Sequence, residues 1–269
     1  MNGHANASGS RRGLHLALEI GVPVVLVGVW WAASAGSESF FFPPLPEILS
    51  ALRDDWLSTR LTADLVPSLV RLAIGYAIAV AAGVAGGLVL GLAPKLARAF
   101  GPVLEFFRFV PPPVMAPVFI IVAGFGDPTK ILFIAFGVVW PVLMNTMDGV
   151  AGADRVQSEV ARAYGFTAAF RVRHVVLPAA MPRVFTGLRT GLAVGVIVMA
   201  VGEMVGSSDG VGYAVLDAQR GFAIPEMWAG MIMLGIVGYV LNLLLLLAER
   251  RVLFWYRDAR ETSGKESAR

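Results

Sequence analysis

The apolar positions of this chain gather into six long stretches separated by polar segments. They lie at about Leu14–Ala35, Leu69–Leu92, Phe109–Gly126, Ile131–Met147, Val184–Val205 and Met227–Ala248. An apolar run of about 20 residues matches the hydrocarbon thickness of a bilayer at the rise of an α-helix. The pattern predicts an all-α polytopic membrane protein with six transmembrane helices. The third stretch contains Pro111, Pro112, Pro113 and Pro117, and its ends and those of the fourth are the least sharply marked. The first stretch exceeds a signal-peptide core of roughly 7–15 residues and reads as a retained helix.

The polar segments orient the spans. Lys and Arg mark the N-terminus (Arg11, Arg12), the segment between the second and third spans (Lys95, Arg98, Arg108), the segment at 148–183 and the C-terminal tail. The alternate segments carry few. An excess of basic residues marks the cytoplasmic side, so both termini and the 148–183 segment are expected there. The domain reading is a tail at 1–13, a transmembrane domain at 14–256 and a second tail at 257–269. The first external segment collects acidic residues and contains Phe40-Phe41-Phe42 beside Pro43 and Pro44, an interfacial, partly extended segment.

Small residues recur every fourth position in two spans: Ala79, Gly83, Gly87 and Gly91, then Gly187, Gly191 and Gly195. Residues four apart share one helix face, so a second backbone can approach closely there. Such faces serve plain packing or the sliding surfaces of a gated pathway.

The segment at about 154–178 carries a different pattern. Val156, Val160 and Tyr164 recur at helical spacing, and Gly165 suits a left-handed helix stop. A second helical piece follows over about Thr167–Val175, and Pro178 and Pro182 are expected to end it and start the fifth span. The result is an amphipathic helix–turn–helix whose apolar face rests on the membrane surface or docks on a cytoplasmic partner.

Composition narrows the chemistry. Of 269 residues, 57% are hydrophobic and 15% charged, against about 25% charged in soluble domains. There is no cysteine, so disulfides and thiolate sites are excluded. The three histidines, His4, His15 and His174, do not pair at metal-ligand spacing, and no metal site is expected. That inventory argues against a membrane-embedded metalloprotease or serine hydrolase. The net charge of +3 is spread through the polar segments, so nucleic acid is not an expected partner. Neither an internal repeat nor membrane-centred charges point to a self-sufficient secondary transporter. The one Gly-Lys pair is Gly264-Lys265, and a P-loop would need glycine where Ala259 stands. The chain therefore has no nucleotide site of that type and no expected cofactor. Polar groups in the spans remain candidates for a substrate pathway: Arg71, Asn145 and Glu203. Arg71 could attract an anion or snorkel to the surface. Glu203 could be buried and functional, or solvated at the outer interface.

One spacing is specific. Glu159-Val160-Ala161-Arg162-Ala163-Tyr164-Gly165, nine residues, then Val175-Val176-Leu177-Pro178 resembles the EAA loop of ABC importer permeases, with Val160 and Val175 as mild departures. Ser68 to Arg71, Val110-Pro111-Pro112, Gly202-Glu203-Met204-Val205 and Gly210-Val211-Gly212-Tyr213 resemble the alkanesulfonate, taurine and nitrate subgroup. The resemblance covers about Phe41–Trp255. It implies a six-helix permease of the type I importer fold in a bacterial inner membrane. It also implies pairing of two permease copies, likewise two cytoplasmic P-loop ATPases that bind ATP-Mg, and an extracytoplasmic substrate-binding protein. Val156, Glu159, Val160, Ala161, Tyr164, Gly165, Leu177 and Pro178 would form the ATPase-coupling surface. The substrate implied is a small anion such as a sulfonate, taurine or nitrate; a thiamine- or riboflavin-type vitamin or precursor is the alternative.

Overall fold

The computed structural model describes residues 6–153, 159–161 and 163–254, with backbone alone for 6–17, 19 and 20. Val156 of the expected coupling face and the tail at 257–269 lie outside them. Among the described residues the regular elements are all helical. In chain order they are α1 (Asn6–Ser34), α2 (Leu45–Ala51), α3 (Val66–Leu92), α4 (Pro94–Phe109), α5 (Ala116–Ala123), α6 (Asp127–Ala151), α7 (Leu177–Met204), α8 (Val211–Arg220) and α9 (Ile224–Val252). π-helical turns at Leu52–Trp56, Leu61–Leu65 and Val172–Val176 extend their neighbours.

Four helices are long and apolar enough to cross a membrane: Leu61–Leu92, Asp127–Ala151, Ala168–Met204 and Ile224–Val252. A fifth crossing requires the pair Pro94–Phe109 and Pro112–Ala123, which is bent by 93°. The apolar described part of α1, Gly21–Ser34, is shorter. The count among described residues is thus four or five. The third stretch departs from expectation: it is not one helix over 109–126. Proline lacks an N–H and pushes the preceding residue into extended backbone. Val110 before Pro111 accordingly sits at φ −72°, ψ 116°, and α4 stops at Phe109. The segment read as a polar connection, 93–108, is itself the helix α4. Conversely, Pro178 and Pro182 interrupt nothing. Helix runs without a break from Ala168 to Met204. The π-helical turn at Val172–Val176 places Pro178 in the first turn of α7, where a missing N–H costs little, and Pro182 is carried inside α7.

Helix α6 lies between the two small-residue faces. A Cβ on Gly83 would stand 2.9 Å from Val142 Cβ, and one on Gly87 2.6 Å from Leu143 O. On the other side, a Cβ on Gly187 would meet Asn145 Cβ at 2.8 Å. Val138 and Val142, facing both partners, are fully buried. Backbones this close are held by dispersion across an interlocked surface, which is the packing role of the small residues. Outward, Val24, Val25 and Leu26 of α1 and Tyr239 of α9 are largely exposed, a surface suited to lipid. Trp30 and Phe42 both pack on Trp228 near the start of α9, as aromatic side chains do at a membrane interface.

Candidate functional site

Two polar places stand at opposite ends of the helix bundle. At the end where α3 begins and α7 stops, the first N–H groups of α8 meet side chains from other helices. Gly210 N donates to Asp64 Oδ1, Val211 N to Ser68 Oγ and Gly212 N to Glu203 Oε2, each at 3.0 Å. The opening N–H groups of a helix have no intrahelical acceptors, and here the turn Leu61–Leu65, α3 and α7 supply them. Ser68 Oγ in turn donates to Glu203 Oε1 at 2.6 Å. Gly210 adopts φ +108°, a backbone region that favours glycine.

Arg71 closes this arrangement. Its side chain is 4% exposed, with Nη1 3.3 Å from Glu203 Oε1, Nε 2.7 Å from Asp127 Oδ1 and Nη2 2.6 Å from Asp209 Oδ1. Lys130 Nζ stands 3.6 Å from Asp209 and donates to Ser207 Oγ at 2.6 Å. One guanidinium thus links α3, the start of α6, the end of α7 and the 205–210 turn. It points inward and does not snorkel. Three carboxylates already compensate its charge, which leaves little field to attract an anion. Glu203 is 1% exposed, so it is not solvated at the outer interface. Burial works against the charged form of Asp209, but the bonds and charges of Arg71, with Lys130, hold its carboxyl below the usual carboxylate range.

At the other end lies the segment after α6. Gly165 has φ +74°, and Phe166 N donates to Ala161 O at 3.1 Å, the closing bond of a glycine-stopped helix. A Cβ on Gly165 would meet nothing within 4 Å, so glycine is there for its backbone angle alone. Ala161 is buried. Val160 and Tyr164 are 49% and 76% exposed, and Glu159 is exposed too. Leu177 and Pro178 are half-buried at the base of α7. Next to them Val176 packs with Val150 and Ala180, which fastens the segment to the ends of α6 and α7.

Sequence reasoning missed part of this surface. The rings of Tyr164, Phe166, Phe170 and His174 form a continuous stack, with centroids 6.4, 4.6 and 4.2 Å apart. Thr167 Oγ1 caps the short helix Ala168–Arg171 by accepting from Phe170 N. The signal was present in the four-residue spacing of Phe166, Phe170 and His174.

Asn145 belongs to neither end. It lies on α6 beside α7, and its Nδ2 donates to Pro141 O at 2.8 Å. It lines a cavity of about 370 Å³.

Residues 65–257 match the family described as the binding-protein-dependent transport system inner membrane component. The chain belongs to this family. As a permease of this kind it is a non-catalytic membrane subunit. A protein of Bacillus subtilis (strain 168) named as an aliphatic sulfonates transport permease, SsuC, is 33% identical over 87% of this chain and 86% of its own. The taurine transport system permease protein TauC of Escherichia coli (strain K12) is 30% identical over 90% of each chain. The bicarbonate transport system permease protein CmpB of Synechococcus elongatus is 30% identical over 56% of this chain and 55% of its own. In three dimensions the permease is similar to a chain of the inward-facing MetNI methionine ABC transporter. That match has a TM-score of 0.63 and 19% identity and covers 76% of this chain and 97% of the other; it shows the fold.

Proposed function

We propose that this permease forms the membrane pathway of an importer for small oxyanions, with organic sulfonates foremost. The observation that carries this reading is the similarity to permeases named for sulfonates and taurine along almost the whole chain. An extracytoplasmic binding protein delivers the substrate, and a partner subunit binds and hydrolyses ATP. Two permease copies pair, each with six spans, α1 and the bent α4–α5 pair completing the four long helices, and both termini face the cytoplasm.

The segment at 159–178 couples the two processes. Its exposed Val160, Tyr164, Phe166 and Phe170 give a partner an apolar surface to cover, and each fully covered side chain is worth roughly 1.5–3 kcal/mol. The buried contact of Val176 with Val150 and Ala180 passes a displacement of the segment to α6 and α7. At the far end, the Arg71 cluster joins the same helices to α3 and α8, so they move as one body. The coupling works only through contacts that differ between two states.

The test is uptake in cells lacking this gene. Loss of growth on sulfonates as the sulfur source, restored by the gene, is the expected result. Unchanged sulfonate use with loss of vitamin-precursor uptake would contradict the anion reading. Reporter fusions after Arg60 should read external and fusions after Arg173 internal.

A further inference from the structure

Helix α9 is embedded over only its first half. Its buried residues are Ile224, Ala229, Gly230, Met233 and Val237, and three of them, Ala229, Met233 and Val237, pack with Trp56, Val211 and Ala214. Beyond Val237 no residue of α9 is buried; the next that is, Leu253, lies past its end. Two cavities part this second half from its neighbours. One, of about 450 Å³, is lined by Leu72 and Tyr76 of α3, Leu192 of α7, and Leu241 and Leu245 of α9. The other, of about 700 Å³, includes Asp148 of α6, Arg183 and Thr186 of α7, and Glu249 of α9 in its lining.

The far side of the gap is an interlocked body. A Cβ on Gly187 would stand 2.8 Å from Asn145 Cβ, so α7 lies against α6 with no room for a side chain. The Tyr76 hydroxyl donates to Leu188 O at 2.8 Å, which ties the same turn of α7 to α3. Arg189 is the next residue, and its backbone therefore belongs to the body formed by α3, α6 and α7. Its side chain leaves that body and pairs with Glu249 of α9. Among the described residues this is the one ion pair or hydrogen bond that joins α7 to α9.

We infer that the Arg189–Glu249 pair is a latch between two bodies that shift against each other in the transport cycle. The embedded first half of α9 is the hinge, and the pair is the catch. The inference rests on the coupling reading above. A displacement of the 159–178 segment reaches the base of α7 through Val176, Val150 and Ala180, and the two cavities leave the second half of α9 free to stay behind. The catch then stretches or opens. Its exposure suits that role: the side chains are 44% and 26% exposed, and an exposed pair contributes too little to stall a cycle. An opened Glu249 remains on a cavity that also carries Arg183, so no carboxylate is stranded against lipid. A contact present in one state and lost in the other biases the equilibrium toward the first. The closed latch thus restrains ATP hydrolysis while no substrate is being delivered.

The experiment uses the complete complex, with its ATPase and its binding protein, in proteoliposomes, and reads ATP hydrolysis with and without the binding protein. Glu249→Gln and Arg189→Gln should each raise hydrolysis in its absence by up to about fivefold, the population shift that loss of an exposed pair produces. The exchanged pair, Arg189→Glu with Glu249→Arg, should return toward the parental rate, which a structural role of either side chain alone would not do. The chain has no cysteine, so Arg189→Cys with Glu249→Cys gives the permease its only two thiols. A reversible bis-methanethiosulfonate cross-linker should stop uptake of labelled taurine, and reduction should restore it. Should the charge variants fail to assemble, the cross-linked pair decides. Cross-linked permease that takes up taurine at the rate of its reduced form overturns the latch alone, as does an exchanged pair no nearer the parental rate than the single variants. Parental hydrolysis that is identical with and without the binding protein overturns the coupling reading and the latch with it. A parental complex that carries none of taurine, ethanesulfonate and bicarbonate overturns the anion reading, and the hydrolysis rates then judge the latch.

Discussion

Glu203 occupies the space that a side chain on Gly210 would fill: a Cβ there would stand 2.6 Å from both carboxylate oxygens. The end of α7 and the start of α8 are thus fitted to each other through a missing side chain. The fit lets Glu203 accept from Gly212 N while also facing Ser68 and Arg71.

Gly210→Ala is therefore expected to harm folding twice, by strain at φ +108° and by displacing Glu203. Strain alone costs on the order of 1–3 kcal/mol. Thermal unfolding of the purified permease in detergent should show a clearly lowered midpoint. Gly206→Ala is the control, since it shares a positive φ but has open space. An equal effect of the two would mean that the Glu203 contact is unimportant.

Removing Arg71 and Glu203 together should cost less than the sum of removing each alone. Arg71→Met leaves Glu203 buried without its cation, and breaking such a pair costs roughly 3–5 kcal/mol. The double variant Arg71→Met with Glu203→Gln should be less unstable than the sum of the two singles. Strict additivity of the three unfolding free energies would show that the two groups do not interact.

Asp209 links stability to pH. Its carboxyl is held below the usual range by Arg71 and Lys130, against partial burial. A depressed carboxyl contributes stability that is complete above its unfolded value, about 3.9, and is lost as pH falls through its folded value. Between neutral pH and about pH 5 the Asp209 contribution should stay constant; below about pH 4 it should decline. Asp209→Asn should flatten the acid limb of unfolding midpoint against pH. An unaltered limb would remove Asp209 from the cluster's energetics.

At the coupling end, Gly165→Val should abolish uptake while the permease remains in the membrane. A non-glycine residue at φ +74° costs roughly 1–2 kcal/mol, too little to unfold the bundle but enough to redirect the segment. Val160→Asp should act likewise by placing a charge on the apolar surface. Glu159→Ala should do less, since an exposed charge contributes little. Uptake paired with co-purification of the ATPase measures both effects; full uptake and full ATPase binding in Gly165→Val would make the segment a mere connector.

What the sequence made legible follows from the range of each interaction. α6 and α9 could be read from local hydropathy, and Gly165 from a local stop rule. The break at Val110 was signalled by three prolines, but hydropathy averaged over a bilayer's width runs straight across it. The partners of Arg71 lie 56, 132 and 138 residues away. No periodicity carries that information, and an arginine near the end of a span looked able to reach the surface.

The account rests on a permease that passes an anion across the membrane at the expense of ATP hydrolysed elsewhere. The direct measurement is accumulation of labelled taurine in proteoliposomes that hold this chain with its ATPase and its binding protein. The account predicts accumulation that needs ATP, needs the binding protein and is suppressed by ethanesulfonate in excess. Taurine uptake that proceeds equally without ATP or without the binding protein would contradict it.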